Sequence, residues 1–390
     1  MRGGLVYEVH MKKRRSHRSN WIFCLVMLVI CGLLCLLPDA ATNPTSSIPR
    51  EKVRVEHVDN DHLYPIGIVY SGTQNCIVTI LTGAHKGETV PATNYLNSAL
   101  DKDKLYRPGD IVRAMVQTAA QGLSVTLIDH QRTGLELGVF AVMALALILF
   151  GGVIGCGTLI SLAGTAIIVW KVLIPLLLRG VDPMWASLIT VVLLTAMIDL
   201  LVAGWTRRCA VALLGSLSGT VVTCIAAVVL TDLFKLDGGD APYLVPLLSQ
   251  TSLTLNIKHL YIGMVYLANS GALMDLSIDI AVSCEEICYH RPDISRSALL
   301  RSGMLIGRGV LGTMTTTLML AYSGNYLSML MYFAGQGTPI LDILNLKYVA
   351  GPLINTMVGS FGLVVVAPLT AIYAAFIFRG KKSGANAVSR

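Results

Sequence analysis

The sequence predicts a polytopic membrane bundle of about eight transmembrane α-helices with a small all-β domain, an OB- or SH3-like barrel, between the first helix and the rest. Three observations carry this. Hydrophobic residues make up 54% of the 390 residues and charged ones only 14%, against about 25% charged in an ordinary soluble domain; mean hydropathy is +0.66. Apolar runs of roughly 20 residues, the length that crosses a hydrocarbon core of about 30 Å, recur along the chain. Between the first two runs the composition turns abruptly to charged and β-branched residues.

Residues 1–20 form a basic segment that includes KKRRSHR. The apolar run WIFCLVMLVICGLLCLL follows within 21–38. It is longer than a signal-peptide core of roughly 7–15 residues, so it reads as a retained anchor with the amino terminus in the cytoplasm, a cleaved signal peptide being the other reading. Residues 49–132 form the β domain. CIVTILTG, IVRAMVQTA and LSVTLIDH read as short strands, and GAHKGE and RPGD supply turns, so about five strands fit a Greek-key barrel.

Residues 133–380 hold about seven further helices, near 136–154, 158–178, 184–205, 209–233, 258–282, 305–333 and 353–378, and 381–390 is a cytoplasmic tail. An even number of crossings returns the carboxyl terminus to the cytoplasm and leaves the β domain outside. Arg207 and Arg208, then Arg291, Arg296 and Arg301, then Arg379, Lys381 and Lys382 fall in the loops this places inside. The turn GGVIGCG between the second and third runs carries no charge. A single kinked crossing there would put the arginine loops outside, so two crossings are preferred.

The net charge of +7 does not form one stripe with interleaved aromatics, which excludes a nucleic-acid partner and leaves membrane lipid as the contacting surface. Of nine cysteines, Cys76 alone lies in the β domain, so no disulfide framework exists there. Cys24, Cys31, Cys35 and Cys224 read as packing residues in apolar spans. Cys284 and Cys288 lack the second ligand pair a soft metal needs. EHVDNDH places His57, Asp59, Asp61 and His62 together as weak metal candidates, but the same run between VRV and PIGIVY reads as a solvated hairpin turn. No cofactor is expected. The segment LTGAHKGETV is not a phosphate loop, and neither H-E-x-x-H nor G-x-S-x-G occurs; ATP-driven transport and hydrolytic enzyme chemistry are therefore not expected. LDGGDAP, with Asp237 and Asp240, falls in an outer loop, away from intramembrane chemistry.

The stretch GALMDLSIDIAVSCEE puts Asp275 and Asp279 one helical turn apart in an apolar run. With entry near Lys258 and a rise of about 1.5 Å per residue, Asp275 lies roughly 25 Å down and Asp279 one turn deeper. A charge at the helix centre costs about 2.5–3.5 kcal/mol on insertion scales, so such side chains turn to a bundle interior or a water-filled cavity. Two carboxylates on one helix face resist ionising together, and a pair that holds one proton or one cation is the consequence. Asp199 lies at similar depth in the fourth span and Arg308 near the start of the seventh. The plainer reading is a structural ion-pair network in which Arg308 neutralises one aspartate. Asn269 and Ser270 near the midplane, and Thr313 and Thr316 in GTMTTT, are candidate liners; GSLSGT reads as a helix-packing motif, and Gly324 with Asn325 as a helix break.

The sequences GALMDLSIDIAVSCEEI, RSALLRSGMLIGRGVLGTMTTTLMLAY and VGSFGLVVVAPLTA, in that order, together with LTGAHKGETV, the PGD turn and VTLIDHQR upstream, resemble the YibE/F-like family of bacterial multi-pass membrane proteins from about residue 50 to 379. The resemblance implies a transporter or efflux protein without an established substrate, in a family some of whose members occur as paired neighbours. It carries over Asp275 as the aspartate of an M-D pair and Glu286 as the acid ending that helix. It also carries over Gly307, Arg308, Gly312, Thr313 and Met314 as a G-R-x-x-x-G-T-M run. Departures are Gly309 where an aspartate commonly follows the arginine, Thr316 near the usual asparagine, and Asp279 where a small polar residue is more common.

The expectation is a secondary transporter or efflux protein of the cell membrane for a small solute or ion. Asp275 is its leading carboxylate, Asp279, Asp199 and Arg308 are partners, and a homo-oligomer or a paired family member is the expected protein partner. The alternative is a non-transporting sensor, scaffold or accessory protein whose outer β domain binds an envelope component.

Overall fold

The computed structural model describes residues 23–36, 49–119, 122–239, 241, 243–250 and 255–379. The basic segment 1–20, the edges of the first span at 21–22 and 37–38, Asp240, and the tail 381–390 lie outside these residues. The chain divides into two compact units, Ala41–Ala146 and Met1–Ala40 with Leu147–Arg390.

The first unit holds strands β1 (Arg50–Asp59), β2 (Leu63–Ile66), β3 (Val69–Ile80), β4 (Thr89–Asn97), β5 (Ile111–Ala119) and β6 (Gly122–His130). Pairing runs β1–β5–β6–β4–β3 and returns from β3 to β1, which closes five strands into a barrel and leaves β2 as a hairpin partner of β3. β4 and β6 pair in parallel; the other pairs are antiparallel. Side chains alternate across each strand, so Val53 and Val55 of β1 and Cys76, Val78 and Ile80 of β3 point inward and pack with Val112, Ala114, Val125 and Leu127. Burial pushes the Cys76 thiol up to about 11, so it packs as a small hydrophobe.

A buried amide network closes the barrel. Gln74 Nε2 donates to the Tyr106 carbonyl (3.1 Å) and to Asn60 Oδ1 (2.9 Å), while Gln74 Oε1 accepts from Tyr106 N (3.0 Å) and Asn94 Nδ2 (3.1 Å). These bonds pin the loop before β5 to β3 and β4 and satisfy polar groups that water cannot reach. Asp59 Oδ1 accepts from Asp61 N at 2.9 Å, an Asx turn between β1 and β2. EHVDNDH thus ends β1 and turns into β2, but the expected hairpin is not formed, since β1 and β2 each pair with β3 and not with one another; among the described residues no three His, Cys, Asp or Glu side chains gather as a metal site would require.

The helices are α1 (Phe23–Cys35), α2 (Thr133–Ile168), α3 (Ile174–Leu178), α4 (Pro183–Ala203), α5 (Arg207–Leu233), α6 (Leu244–Gln250), α7 (Ile257–His290), α8 (Arg296–Asn325), α9 (Leu327–Gly335), α10 (Ile340–Asn345) and α11 (Lys347–Phe378). A π-helical turn, Val169–Leu173, joins α2 to α3. Six helical stretches among the described residues are long and apolar enough to cross a membrane: Thr133–Leu178, Pro183–Ala203, Arg207–Leu233, Ile257–His290, Arg296–Gly324 and Lys347–Phe378. Side-chain caps start four of the bundle helices, each accepting from an otherwise orphaned backbone N–H: Asp182 from Met184 N, Thr206 from Cys209 N, Asn256 from His259 N and Ser295 from Ala298 N.

Two expected spans differ. The runs at 136–154 and 158–178 belong to one helical stretch kinked at Gly152, whose φ of 54° and ψ of −123° are non-helical. The bend is tight: a Cβ on Gly155 would lie 2.1 Å from the Leu147 carbonyl oxygen, eight residues back and about 12 Å away along a straight helix. The run expected at 305–333 starts earlier, because the Ser295 cap draws Arg296 and Arg301 into α8. It stops at Asn325, just beyond Gly324, before α9 begins.

In the helical unit α7 is central. It packs against α4, α5, α8 and α11, while α4 meets α5, α5 meets α11 and α11 meets α8. Glycines allow this closeness. A Cβ on Gly219 would fall 1.8 Å from Val366 Cγ2, one on Gly215 2.1 Å from Thr370 Oγ1, and one on Gly362 2.2 Å from Thr223 Oγ1. α1 lies on α2 and α4 through Cys24, Leu194, Met197 and Leu201.

Candidate functional site

One end of the helical unit gathers arginines. Arg208 pairs with Glu285 at 3.8 Å; Arg379 donates to the carbonyls of Arg291 (2.8 Å) and Pro292 (2.5 Å), and Arg296 Nε donates to the Arg379 carbonyl (2.7 Å). The α4–α5 turn, the α7–α8 turn and the end of α11 therefore meet there. The opposite end carries mixed pairs: His259 with Asp182 at 2.5 Å, Lys258 with Asp232, and Lys347 with Asp237.

Between these ends sits Asp199 of α4, with no solvent exposure. Its Oδ2 accepts from Ser216 Oγ of α5 at 3.4 Å, and its Oδ1 has no hydrogen-bond partner. Thr195, one turn earlier on the same face of α4, is also fully buried, and its hydroxyl is unpartnered. Asp275 of α7 is near enough for its charge to act on Asp199, and Asp279 acts on Asp275 in turn. Asp199 and Thr195 thus place two buried oxygens without hydrogen-bond partners one turn apart on α4. Buried polar oxygens without partners are rare and call for a proton, a water or an ion.

The other expected residues divide into two groups. Asn269 is fully buried and forms a second polar node, donating to Asn355 Oδ1 of α11 (2.7 Å) and to the Val265 carbonyl (2.7 Å), and accepting from Tyr322 of α8 (3.4 Å). Ser270 is buried and donates to the Leu267 carbonyl at 2.8 Å. Asp275 and Asp279 lie exposed on one strip of α7 with Met264, Ala268, Val282 and Glu286, and Glu286 pairs with His290 at 2.9 Å. Arg308, Thr313 and Thr316 are exposed on α8, and the two threonine hydroxyls donate to carbonyls of their own helix. Among the described residues no ion pair joins Arg308 to either aspartate, so the network expected around Arg308 does not form among them.

Thr195, Ser216, Asn355 and Tyr322 escaped the sequence reading. Ser216 lies within GSLSGT and Asn355 within an apolar run; an isolated polar residue in such a run is the available signal.

A family profile described as YibE/F-like protein matches residues 139–380, well over half the chain. The chain belongs to the YibE/F-like family. The match covers every helix of the YibE/F-like unit from within α2 to the end of α11, including Asp199, Asn269, Asp275 and Arg308, and leaves the β-barrel outside it. No curated protein and no solved structure matches the chain.

Proposed function

We propose that this YibE/F-like protein is a secondary transporter or efflux protein that couples movement of a small solute or ion to proton or cation exchange at intramembrane carboxylates. One observation carries the reading: Asp199 is wholly buried in an apolar bundle, one of its oxygens has no partner, and a second carboxylate, Asp275, lies within electrostatic reach on an exposed face. A carboxylate is expensive in such surroundings unless it exchanges a proton or ion that the cycle needs. Thr195 and Ser216 supply further oxygens at the same place, and Asp275 is the entry group. No enzymatic step is assigned to the chain.

Sidedness follows from charge. The arginine-rich end faces the cytoplasm by the positive-inside bias. Gly157 lies 3.1 Å, measured from an added Cβ, from the Leu201 carbonyl near that end of α4, and Phe23 stacks near Trp205 with ring centroids 6.4 Å apart. The Gly152 bend and the start of α1 thus belong to the same end, which favours two crossings in Thr133–Leu178, eight in all. Both termini are then cytoplasmic and the barrel extracytoplasmic in a cell membrane. The parallel β4–β6 pairing gives the barrel the strand order of the OB kind.

The test is reconstitution of the full chain into vesicles with a trapped pH-sensitive dye and an imposed proton gradient. Asp199→Asn and Asp275→Asn are expected to abolish proton flux while yield and monodispersity persist. Undiminished flux in Asp199→Asn overturns the reading.

A second reading, an accessory or sensor protein, is favoured by a cleft of about 380 Å³ on the barrel, lined by Pro49, Glu51, His85, Val116, Gln117 and Thr118. There the buried Glu51 Oε2 has no partner, an arrangement suited to a cationic group of an envelope component.

A further inference from the structure

We infer that the exposed strip of α7 and the outer face of α8 form an interface between two copies of this chain, with Arg308 of each copy against Asp279 of its partner. The inference rests on geometry and charge, and holds whether or not the chain transports.

The ring around α7 is open. α4, α5, α11 and α8 follow one another about it, but no comparable packing joins α4 to α8 among the described residues. α7 accordingly leaves Ala268, Asp275, Asp279 and Val282 uncovered. On the neighbouring α8, Arg308 is exposed, twelve residues or about 18 Å inside the helix start at Arg296. Lipid is a poor neighbour for either charge, and neither has an ion-pair partner among the described residues.

The depths match. α7 and α8 run antiparallel: an added Cβ on Gly303 would lie 3.1 Å from Cys284 Sγ, and one on Gly307 3.2 Å from Ile280 Cδ1. Each step along α8 thus answers one step back along α7, which sets Arg308 level with Asp279 and Gly312 level with Asp275. A two-fold axis along the membrane normal keeps every residue at its own depth, so groups that share a level are those that meet across it. The two faces are also complementary in charge, an acid on one and a base on the other. An added Cβ on Gly309 or Gly312 would touch nothing, so α8 presents a small, open surface that a second helix can approach closely. A second copy satisfies the acid and the base at once. An unrelated partner would have to supply both at this depth.

The experiment uses two full-length chains with different tags. Asp279→Arg alone and Arg308→Asp alone each bring like charges together across the axis and are expected to weaken dimer formation at least ten-fold, measured by light scattering in mild detergent. Co-expressed, the two variants are expected to co-purify as a heterodimer, since each then offers what the other lacks; pairing confined to one chain predicts no such rescue. If charge reversal prevents folding, chains carrying Asp279→Cys and Arg308→Cys separately should form a doubly tagged disulfide on oxidation, whereas Val229→Cys with Arg308→Cys should not. A monomeric native chain in detergent and nanodiscs, or failure of both the rescue and the cross-link, overturns the inference.

Discussion

Gly219 of α5 and Val366 of α11 touch where neither leaves room for another atom: a methyl on Gly219 would sit 1.8 Å from Val366 Cγ2. The contact lies in the core shared by α5, α7, α8 and α11. It ties a small residue that the sequence marks only as one of a packing motif to a specific neighbour.

Gly219→Leu should force α5 and α11 apart and destabilise the full chain by about 1–3 kcal/mol, the usual range for overpacking. Val366→Ala should relieve part of that loss in the double variant. Thermal denaturation in detergent, followed as a double-mutant cycle, checks both; additive effects would mean the two side chains do not meet.

The Asn269 node joins α7 to α11 and α8. Asn269→Ala removes three donated contacts, to the Val265 carbonyl and to the carbonyl and Oδ1 of Asn355, and one accepted bond, and opens space beside Gly359, where an added Cβ would stand 2.0 Å from Asn269 Oδ1. A loss of roughly 0.6–2 kcal/mol is expected from interhelical hydrogen bonding in a membrane. Unchanged unfolding in sodium dodecyl sulfate titration would show that the node carries no stability.

In the barrel, Asp129 accepts from His130 N at 2.7 Å and pairs with Lys104 at 3.0 Å and Arg132 at 3.2 Å. Burial works against its charge, but the Lys104 hydrogen bond, the His130 N–H and the two cations outweigh it and hold the carboxyl below its ordinary value. A depressed folded-state value stabilises above the unfolded value of about 3.9, and the contribution disappears as pH falls through the folded one. Lys104 and Asp129 are 26% and 34% exposed and Arg132 56%, so it amounts to about 0–1 kcal/mol. Asp129→Asn should therefore speed hydrogen exchange in β6 relative to the native chain at pH 7, with the difference vanishing well below pH 3.9. A difference that persists at the acid end would assign the effect to packing.

Gly152 holds a backbone conformation that side-chain-bearing residues rarely adopt. Gly152→Ala should strain or straighten the bend and lower the yield of folded protein. Cysteine accessibility on either side of the bend, at positions 147 and 158, should change with it. An alanine variant with native yield and unchanged accessibility would remove the glycine from the argument.

Much of the fold was legible without coordinates. Hydropathy marked the helices because a lipid-crossing segment must satisfy its backbone internally and cover it with apolar side chains. Alternation marked the strands, because successive side chains point to opposite faces of a sheet. The kink at Gly152 and the early start of α8 were less legible, because composition alone does not separate a bend from a loop.

The sequence by itself determined that this chain is a membrane protein with a β-barrel insert, and it singled out Asp199, Asn269 and Asp275 as polar residues in apolar runs. Only the tertiary structure decided that Asp199 is the buried carboxylate while Asp275, Asp279 and Arg308 face outward. The reason is that burial is a property of neighbouring helices: which face of α7 is covered depends on where α4, α5, α8 and α11 pack, and no local pattern along one helix records that.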